Sequence, residues 1–126
     1  MNESMYSGLT LAYIGDAYYE IYFRKYNVSL GHTKVNKLHK ETIKFTCAEY
    51  QSRAVKYLLD ENILTEEEES VYKRGRNSNT NKTRKTLSVA EYNMATGLEA
   101  LIGYLYITGN QARADELLDI IKTNVL

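Results

Sequence analysis

The chain has 126 residues, of which 44% are hydrophobic and 25% are charged. These proportions are typical of a soluble globular protein, and the length predicts a single domain that spans residues 1–126. Sixteen basic and sixteen acidic residues give a formal net charge of zero, which excludes a uniformly basic, nucleic-acid-coating surface. The single cysteine, Cys47, excludes an intrachain disulfide and a multi-cysteine zinc site, and we expect its side chain to be buried.

No stretch of the sequence has the pattern of a targeting or membrane-spanning segment. Met1–Ser4 lacks the basic and apolar regions of a signal peptide. The most apolar stretch, residues 92–112, is interrupted by Glu99 and is polar at its end, so it is too short to cross a bilayer. We therefore expect a cytoplasmic protein that does not associate with a membrane.

Apolar residues recur at helical spacing along most of the chain, and no pair of strands is indicated. Proline is absent, which favours long uninterrupted helices. The pattern predicts helices over residues 5–26, 34–59, 66–75, 89–108 and 112–123. The sequence therefore predicts an all-α helical bundle.

Local signals mark several of the predicted helix ends. Thr65 with Glu68, and Ser88 with Glu91, have the spacing of a capping box. Thr33 is a candidate cap for the second helix, and a turn is expected at residues 109–110. Residues 76–86 are polar without apolar periodicity, which is typical of a loop.

Two predicted helices carry a set of side chains that we expect to face inward. In the first helix these residues are Leu9, Ala12, Tyr13, Asp16, Tyr19, Glu20 and Phe23. In the second helix they are Val35, Leu38, Ile43, Cys47 and Tyr50.

Acidic residues stand on faces that are otherwise apolar. Asp16 and Glu20 lie one turn apart on the first helix, and Glu99 is the only charged residue between Glu91 and Arg113. Burying an ionised carboxylate costs several kcal/mol unless a cation or hydrogen bonds offset the cost. A bundle can offset it by directing acids from two helices at one divalent metal ion. The pattern equally allows a structural acid at Glu99, and for Glu20 it favours an ordinary position at the solvent edge.

Glycines flank the same acids. Gly15 directly precedes Asp16, and Gly97 and Gly103 lie on either side of Glu99. Because glycine has no Cβ, we expect the first helix and the helix of Glu99 to approach each other closely at these positions.

Basic residues are concentrated around the predicted loop. Between positions 73 and 85 there are six basic residues and no acid, namely Lys73, Arg74, Arg76, Lys82, Arg84 and Lys85. A run of charge is most often a solvated surface, but binding to a phosphate backbone needs such local clustering and tolerates overall neutrality. Beside a possible acidic metal site, the cluster favours a phosphodiester substrate.

Two runs of the sequence resemble the acidic helices of the ribonuclease III family. The run from Leu9 to Glu20 contains the Gly-Asp-Ala step of its signature helix, and the run from Thr96 to Tyr106 is similar to its second acidic helix. Residues 36–39 and 74–77 resemble the compact bacterial subgroup, Mini-ribonuclease III. The similarity covers nearly the whole chain with its motifs in the same order.

This resemblance implies an all-helical endonuclease that acts as a homodimer, cleaves double-stranded RNA with Mg2+ and leaves a 5′-phosphate and a 3′-hydroxyl. In the compact subgroup, the substrate it implies is the precursor of 23S ribosomal RNA. It matches Asp16 and Glu99 to the two catalytic, metal-binding carboxylates and Glu20 to a further acid usual in the subgroup. Lys85 matches a basic residue of the loop, and we expect the six basic residues to bind RNA.

The sequence also departs from the family pattern. Full-length members carry two further acids where this chain has Ala12 and Thr96, so the number of metal ions is left open, although the compact subgroup shares this reduction. Arg84 stands where the subgroup usually has proline. We expect no double-stranded RNA-binding domain after residue 126.

Other functions are compatible with parts of the pattern. A non-catalytic RNA-binding dimer of the same fold would not need to retain Asp16 and Glu99. An all-α nucleotide pyrophosphohydrolase uses paired acidic motifs, and Glu66 and Glu69 have that spacing but are better explained as the start of a helix. A purely helical adaptor would show no dependence on Mg2+.

Overall fold

A computed structural model of the chain describes residues 6–79 and 87–126. In chain order, its helices are α1 (Gly8–Ser29), α2 (Val35–Thr46), α3 (Ala48–Asp60), α4 (Glu66–Arg76), α5 (Leu87–Ile107) and α6 (Gln111–Asn124). The described residues contain no strand, and the predicted all-α bundle is confirmed. None of these helices is both long and apolar enough to cross a membrane.

Helix α5 is the central element of the bundle and packs against α1, α3, α4 and α6. Leu98, Leu101 and Ile102 of α5 are completely buried, together with Tyr19 and Phe23 of α1. A helix that is apolar on most of its circumference is stable only when other elements surround it. The sequence of α5 therefore explains why the other helices assemble around it.

The backbones of α1 and α5 touch where the two helices cross. A Cβ atom on Gly103 would lie 1.9 Å from the carbonyl oxygen of Leu11, and one on Gly15 would lie 1.6 Å from the carbonyl oxygen of Glu99. Neither distance is possible for a real carbon atom, so the crossing requires glycine at both positions. Gly97 packs instead against Tyr72 of α4, so the expectation that it faces α1 was wrong.

Two of the predicted helix ends have the expected geometry. The backbone N–H of Glu68 donates to Thr65 Oγ1 at 3.1 Å, and Glu68 Oε1 accepts from the backbone N–H of Thr65 at 3.0 Å, which confirms the capping box. Gly109 has a φ of 84°, and the Asn110 side chain caps α6. The side chain of Ser88 and residues 80–86 of the predicted loop lie outside the described residues.

The second predicted helix is divided in two, and the expectation of one continuous helix was wrong. Cys47 has extended backbone angles between α2 and α3, and its side chain is exposed rather than buried. Lys34, not Thr33, precedes the first turn of α2. Tyr19 of α1 donates a hydrogen bond to the Phe45 carbonyl group, two residues before Cys47. A contact with another helix thus accompanies a break that no proline or glycine marks.

Several residues expected in the core are exposed. Tyr13 is 82% exposed and Val35 is 77% exposed, and Leu9, Ile43 and Asp16 are also at the surface. The buried stripe of α1 is shifted from the predicted one because the close crossing turns another face of α1 toward α5. That stripe consists of Gly8, Leu11, Ala12, Gly15, Tyr19, Phe23 and Asn27.

A nearly buried ion pair connects α4 to α6. The Arg113 guanidinium donates to both oxygens of Glu68 at 2.8 and 2.9 Å, and to the carbonyl oxygen of Ile63 at 2.9 Å. Burial by itself would raise the pKa of Glu68, but hydrogen bonds from Arg113 and from the Thr65 backbone lower it below its ordinary value of 4.5. Glu68 therefore caps α4 and is also the counterion of Arg113 on α6.

We expect the free energy of unfolding of the Arg113→Met variant to be about 3 kcal/mol lower than that of wild type at pH 7, because Glu68 is then buried without its cation. Since the pKa of folded Glu68 is lowered, its stabilising contribution in the wild type is complete above about pH 5.5 and is lost as the pH falls through that lowered pKa. The variant should lose less stability on acidification. Urea unfolding at pH 7 and at pH 4 measures both effects.

The matched control is Lys56→Met, which breaks an exposed pair with Asp60 on α3. An exposed pair contributes less than about 1 kcal/mol, so this variant should unfold almost like wild type. Equal stabilities of the two variants would contradict the role assigned to the Arg113 pair.

Candidate active site

Asp16 and Glu99 meet at the crossing of α1 and α5. Gly15, directly before Asp16, packs on the backbone of Glu99, and the two carboxyl groups interact through a hydrogen bond. Asp16 is exposed, whereas Glu99 is partly buried. The structure thus brings together the two acids that the sequence singled out, with one carboxylate open to solvent and the other set into the bundle.

The electrostatics of this pair favour a bound cation. Burial raises the pKa of Glu99 well above its usual range, and the hydrogen bond and negative charge of Asp16 raise it further. Because two adjacent carboxylates cannot both be ionised cheaply, Glu99 binds a proton more readily than an ordinary glutamate when no cation is present. A divalent cation can replace that proton, and metal binding at such a site releases protons.

Gln51 is a site residue that the sequence reasoning missed. Its side chain is only 2% exposed, and Nε2 donates to Oε2 of Glu99 at 3.4 Å. The signal in the sequence is a polar residue on the buried stripe of α3, at helical spacing from Ala54, Val55 and Leu58. That stripe does not reveal which helix Gln51 would face.

Glu20 is not part of the same group. It lies one turn further along α1 and forms an ion pair with Arg24 at 2.5 Å. Within the described parts of the chain, no three acids, histidines or cysteines are grouped closely enough to hold a metal ion. Asp16 and Glu99 are thus a set of two carboxylates, which suits Mg2+, an ion usually held by one or two carboxylates together with water and substrate phosphates.

The positions where the family resemblance points to further acids are buried and serve the fold. Ala12 and Thr96 are 7% and 6% exposed. The Thr96 hydroxyl donates to the Tyr92 carbonyl at 3.0 Å and accepts from Nδ2 of Asn79 at 3.1 Å, and Asn79 also donates to Asn93 at 2.9 Å. Thr96 thus ties the chain after α4 to α5, three residues before Glu99.

The basic end of α4 packs against the turn of α5 that carries Glu99. Gly75 of α4 is seated so closely that an added Cβ would lie 2.5 Å from the Cβ of Ala100 and 3.0 Å from the Cα of Gly97. The end of α4 that carries Lys73, Arg74 and Arg76 is therefore held against the α5 turn that carries Glu99.

The six predicted RNA-binding residues differ in their surroundings. Lys73 is exposed and pairs with Glu69 at 3.5 Å, and Arg76 lies over the ring of Tyr72. The Arg74 guanidinium is partly buried and donates to the Tyr6 carbonyl oxygen at 2.9 Å, so it also holds the chain that precedes α1. The remaining three, Lys82, Arg84 and Lys85, lie outside the described residues.

Comparison with known sequences identifies relatives along most of the chain. A family model of the ribonuclease III domain matches residues 9–110. The Mini-ribonuclease 3 of Streptococcus pneumoniae is 44% identical over 114 residues, which cover 90% of this chain and 89% of that protein. The Mini-ribonuclease 3 of Enterococcus faecalis is 47% identical over 113 residues, which cover 90% of this chain and 86% of that protein.

The fold has a counterpart among solved structures. The crystal structure of a protein from Fusobacterium nucleatum matches this chain with a TM-score of 0.81 and 34% sequence identity, over 94% of this chain and 93% of that chain. The helical architecture, the family model and the relatives all agree with the resemblance carried by the two acidic helices. The chain therefore belongs to the ribonuclease III family and is an endoribonuclease.

Proposed function

We propose that this chain is a Mg2+-dependent endonuclease that cleaves double-stranded RNA and matures the ends of 23S ribosomal RNA in the cytoplasm. The observation that carries the proposal is the juxtaposition of Asp16 and Glu99 beside the basic end of α4. The Mini-ribonuclease 3 relatives support it, and the ribosomal RNA substrate rests on the resemblance to that subgroup.

Asp16 and Glu99 would hold Mg2+, which when bound stabilises charge on the scissile phosphate and makes water a better nucleophile. Asp16 is exposed, so its carboxylate can approach a phosphodiester that lies on the surface. Glu99 is fixed by burial and by Gln51. Hydrolysis adds the water oxygen to phosphorus and breaks the bond to O3′, leaving a 5′-phosphate and a 3′-hydroxyl.

Glu20 remains a proposed further acid of this face. It lies one turn from Asp16, and its ion pair with Arg24 is exposed to solvent. Exposed pairs of this kind contribute less than about 1 kcal/mol, so substrate or metal can compete for the Glu20 carboxylate at low cost.

The basic residues would contact the RNA backbone. Double-stranded RNA is recognised mainly through its shape and its phosphates, so these contacts should set affinity rather than sequence preference. Lys73 and Arg76 lie on α4 next to the α5 turn that carries Glu99. We assign the same role to Arg74 and, in the segment that follows Asn79, to Lys82, Arg84 and Lys85.

The exposed apolar face of α1 fits a second copy of this chain. Leu9, Tyr13 and Ile21 are spaced along one side of α1, and Tyr106 of α5 joins them at the surface. Tyr13, Ile21 and Tyr106 line an open depression of about 600 Å³ that also includes Asp16. Exposed apolar patches mark interfaces, and a two-fold pairing here would place two acidic pairs on one surface, one for each strand of a duplex.

We expect Glu99→Gln to reduce cleavage of duplex RNA by more than about 100-fold, since the loss of a partner that only supports a metal ligand already costs 10–100-fold. A gel assay in Mg2+ measures the rate. Glu91→Gln, the same change two turns earlier on α5, should cleave like wild type.

The Glu99→Gln protein should remain folded without metal and be at least as stable as wild type at neutral pH. A carboxyl with a raised pKa destabilises the folded state as the pH rises above its unfolded value, and glutamine removes that effect. Cleavage at the wild-type rate by folded Glu99→Gln would contradict the catalytic assignment. Duplex binding by wild type without any cleavage would favour a non-catalytic RNA-binding dimer.

Neutralising Arg84 and Lys85 together, as Arg84→Gln and Lys85→Gln, should weaken duplex binding and lower the slope of log affinity against log salt by about 0.9 for each phosphate that the protein no longer neutralises. Binding titrations in Ca2+ or EDTA over a salt series measure the slope without cleavage. The control is Arg53→Gln with Lys56→Gln, which removes two charges from the exposed side of α3. Equal slopes in the two double variants would contradict an RNA-binding role for Arg84 and Lys85.

Tyr13→Lys should convert a homodimer into a monomer, because it places a charge in the middle of the apolar face of α1. Light scattering after size exclusion should give twice the 14.5 kDa chain mass for wild type and the chain mass for the variant. Tyr92→Lys alters another exposed tyrosine, on α5, and should leave the dimer intact. A monomeric wild type would contradict the proposed dimer.

A further inference from the structure

The side chain of Gln51 lies between the hydroxyl group of Tyr19 and the carboxyl group of Glu99. Its Nε2 atom donates to Oε2 of Glu99 at 3.4 Å, and its amide also forms a hydrogen bond with the hydroxyl of Tyr19. Gln51 and Tyr19 are 2% and 0% exposed, so water does not compete for these contacts. The three side chains come from α3, α1 and α5, and their contacts therefore join three helices.

The direction of the Gln51 amide is set by Tyr19. The Tyr19 hydroxyl donates to the carbonyl oxygen of Phe45, and a carbonyl oxygen can only accept, so the single proton of the hydroxyl is committed there. The Tyr19 oxygen can then only accept from Gln51, which must turn its NH2 group toward it. An amide nitrogen carries two N–H groups, and the second one is directed at Glu99.

Rotating the Gln51 amide by 180° would place its oxygen Oε1 against two hydrogen-bond acceptors. The Tyr19 oxygen and the Glu99 carboxylate would both face Oε1, and two buried hydrogen bonds would be broken together. The observed orientation is therefore the one that Tyr19 and Phe45 enforce.

We propose that Gln51 is a positioning residue that holds the Glu99 carboxylate in place for a divalent cation, and that Tyr19 fixes Gln51 in the orientation this requires. This inference rests on the proposed function of Asp16 and Glu99. Gln51 touches neither the cation nor the RNA and acts only through Glu99.

A neutral donor suits this task better than a basic one. Glu68 and Glu20 are paired with Arg113 and Arg24, and an arginine neutralises its carboxylate and competes with a metal ion for its oxygens. The Gln51 amide orients Glu99 without adding a positive charge. No guanidinium group then competes with a cation for the oxygens of Glu99.

The test compares Gln51→Met with the same change at Gln111, the only other glutamine, which is exposed at the start of α6. Methionine has a similar length and cannot donate a hydrogen bond. We expect Gln51→Met to bind Mn2+, followed by electron paramagnetic resonance, 10–100-fold more weakly than wild type, which is about the cost of losing an outer partner of a metal ligand. The Mg2+ concentration for half-maximal cleavage should rise by a similar factor, while duplex binding in EDTA stays unchanged.

Tyr19→Phe provides a second variant that retains Gln51. Tyr19→Phe should weaken Mn2+ binding about fivefold, which corresponds to the loss of one neutral hydrogen bond. The double variant Tyr19→Phe, Gln51→Met should bind Mn2+ as weakly as Gln51→Met does. If folded Gln51→Met binds Mn2+ as tightly as wild type, this inference is overturned and the proposed function is not affected. If Gln51→Met does not fold, wild-type affinity in Tyr19→Phe overturns it. A wild-type protein that neither binds Mn2+ nor cleaves RNA overturns the proposed function and this inference with it.

Discussion

The contact between the backbones of α1 and α5 determines where the candidate catalytic groups lie. With glycine at positions 15 and 103, the two helices approach until Asp16 and Glu99 share one surface. A side chain at either glycine would separate the helices and the two acids with them. The remaining contacts are arranged around the same turn of α5, because α4 seats Gly75 against Gly97 and α3 directs Gln51 at Glu99.

Features that depend on neighbouring residues in the chain could be predicted from the sequence, and features that depend on packing could not. The capping box at Thr65 and Glu68 is a local hydrogen-bond pattern, and the structure has it as expected. The break at Cys47 has no local signal. It coincides with contacts of Phe45, whose ring stacks on Phe23 at 4.4 Å and whose carbonyl accepts from another helix. Periodicity alone predicts one continuous helix there.

The same distinction applies to the site. Asp16 and Glu99 stood out because each is an acid among apolar residues, and the structure brings them together. Gln51 is also polar on an apolar stripe, but its partner lies on another helix, so its role became visible only in the packed structure. Tyr13 was expected in the core but is exposed. Apolar spacing identifies an apolar face of a helix, but it does not show whether that face packs against another part of the same chain.

The double role of Glu68 restricts how this part of the sequence can diverge. Glutamine at position 68 would keep a cap for α4, and Arg113 would retain its partner Glu116 on α6, whereas a lost arginine would leave the Glu68 carboxylate buried alone. The loss of Arg113 thus leaves an unpaired buried charge, which is strongly unfavourable. Position 113 should therefore lose its arginine during evolution only after or together with a change at position 68, although neither residue belongs to the acidic pair.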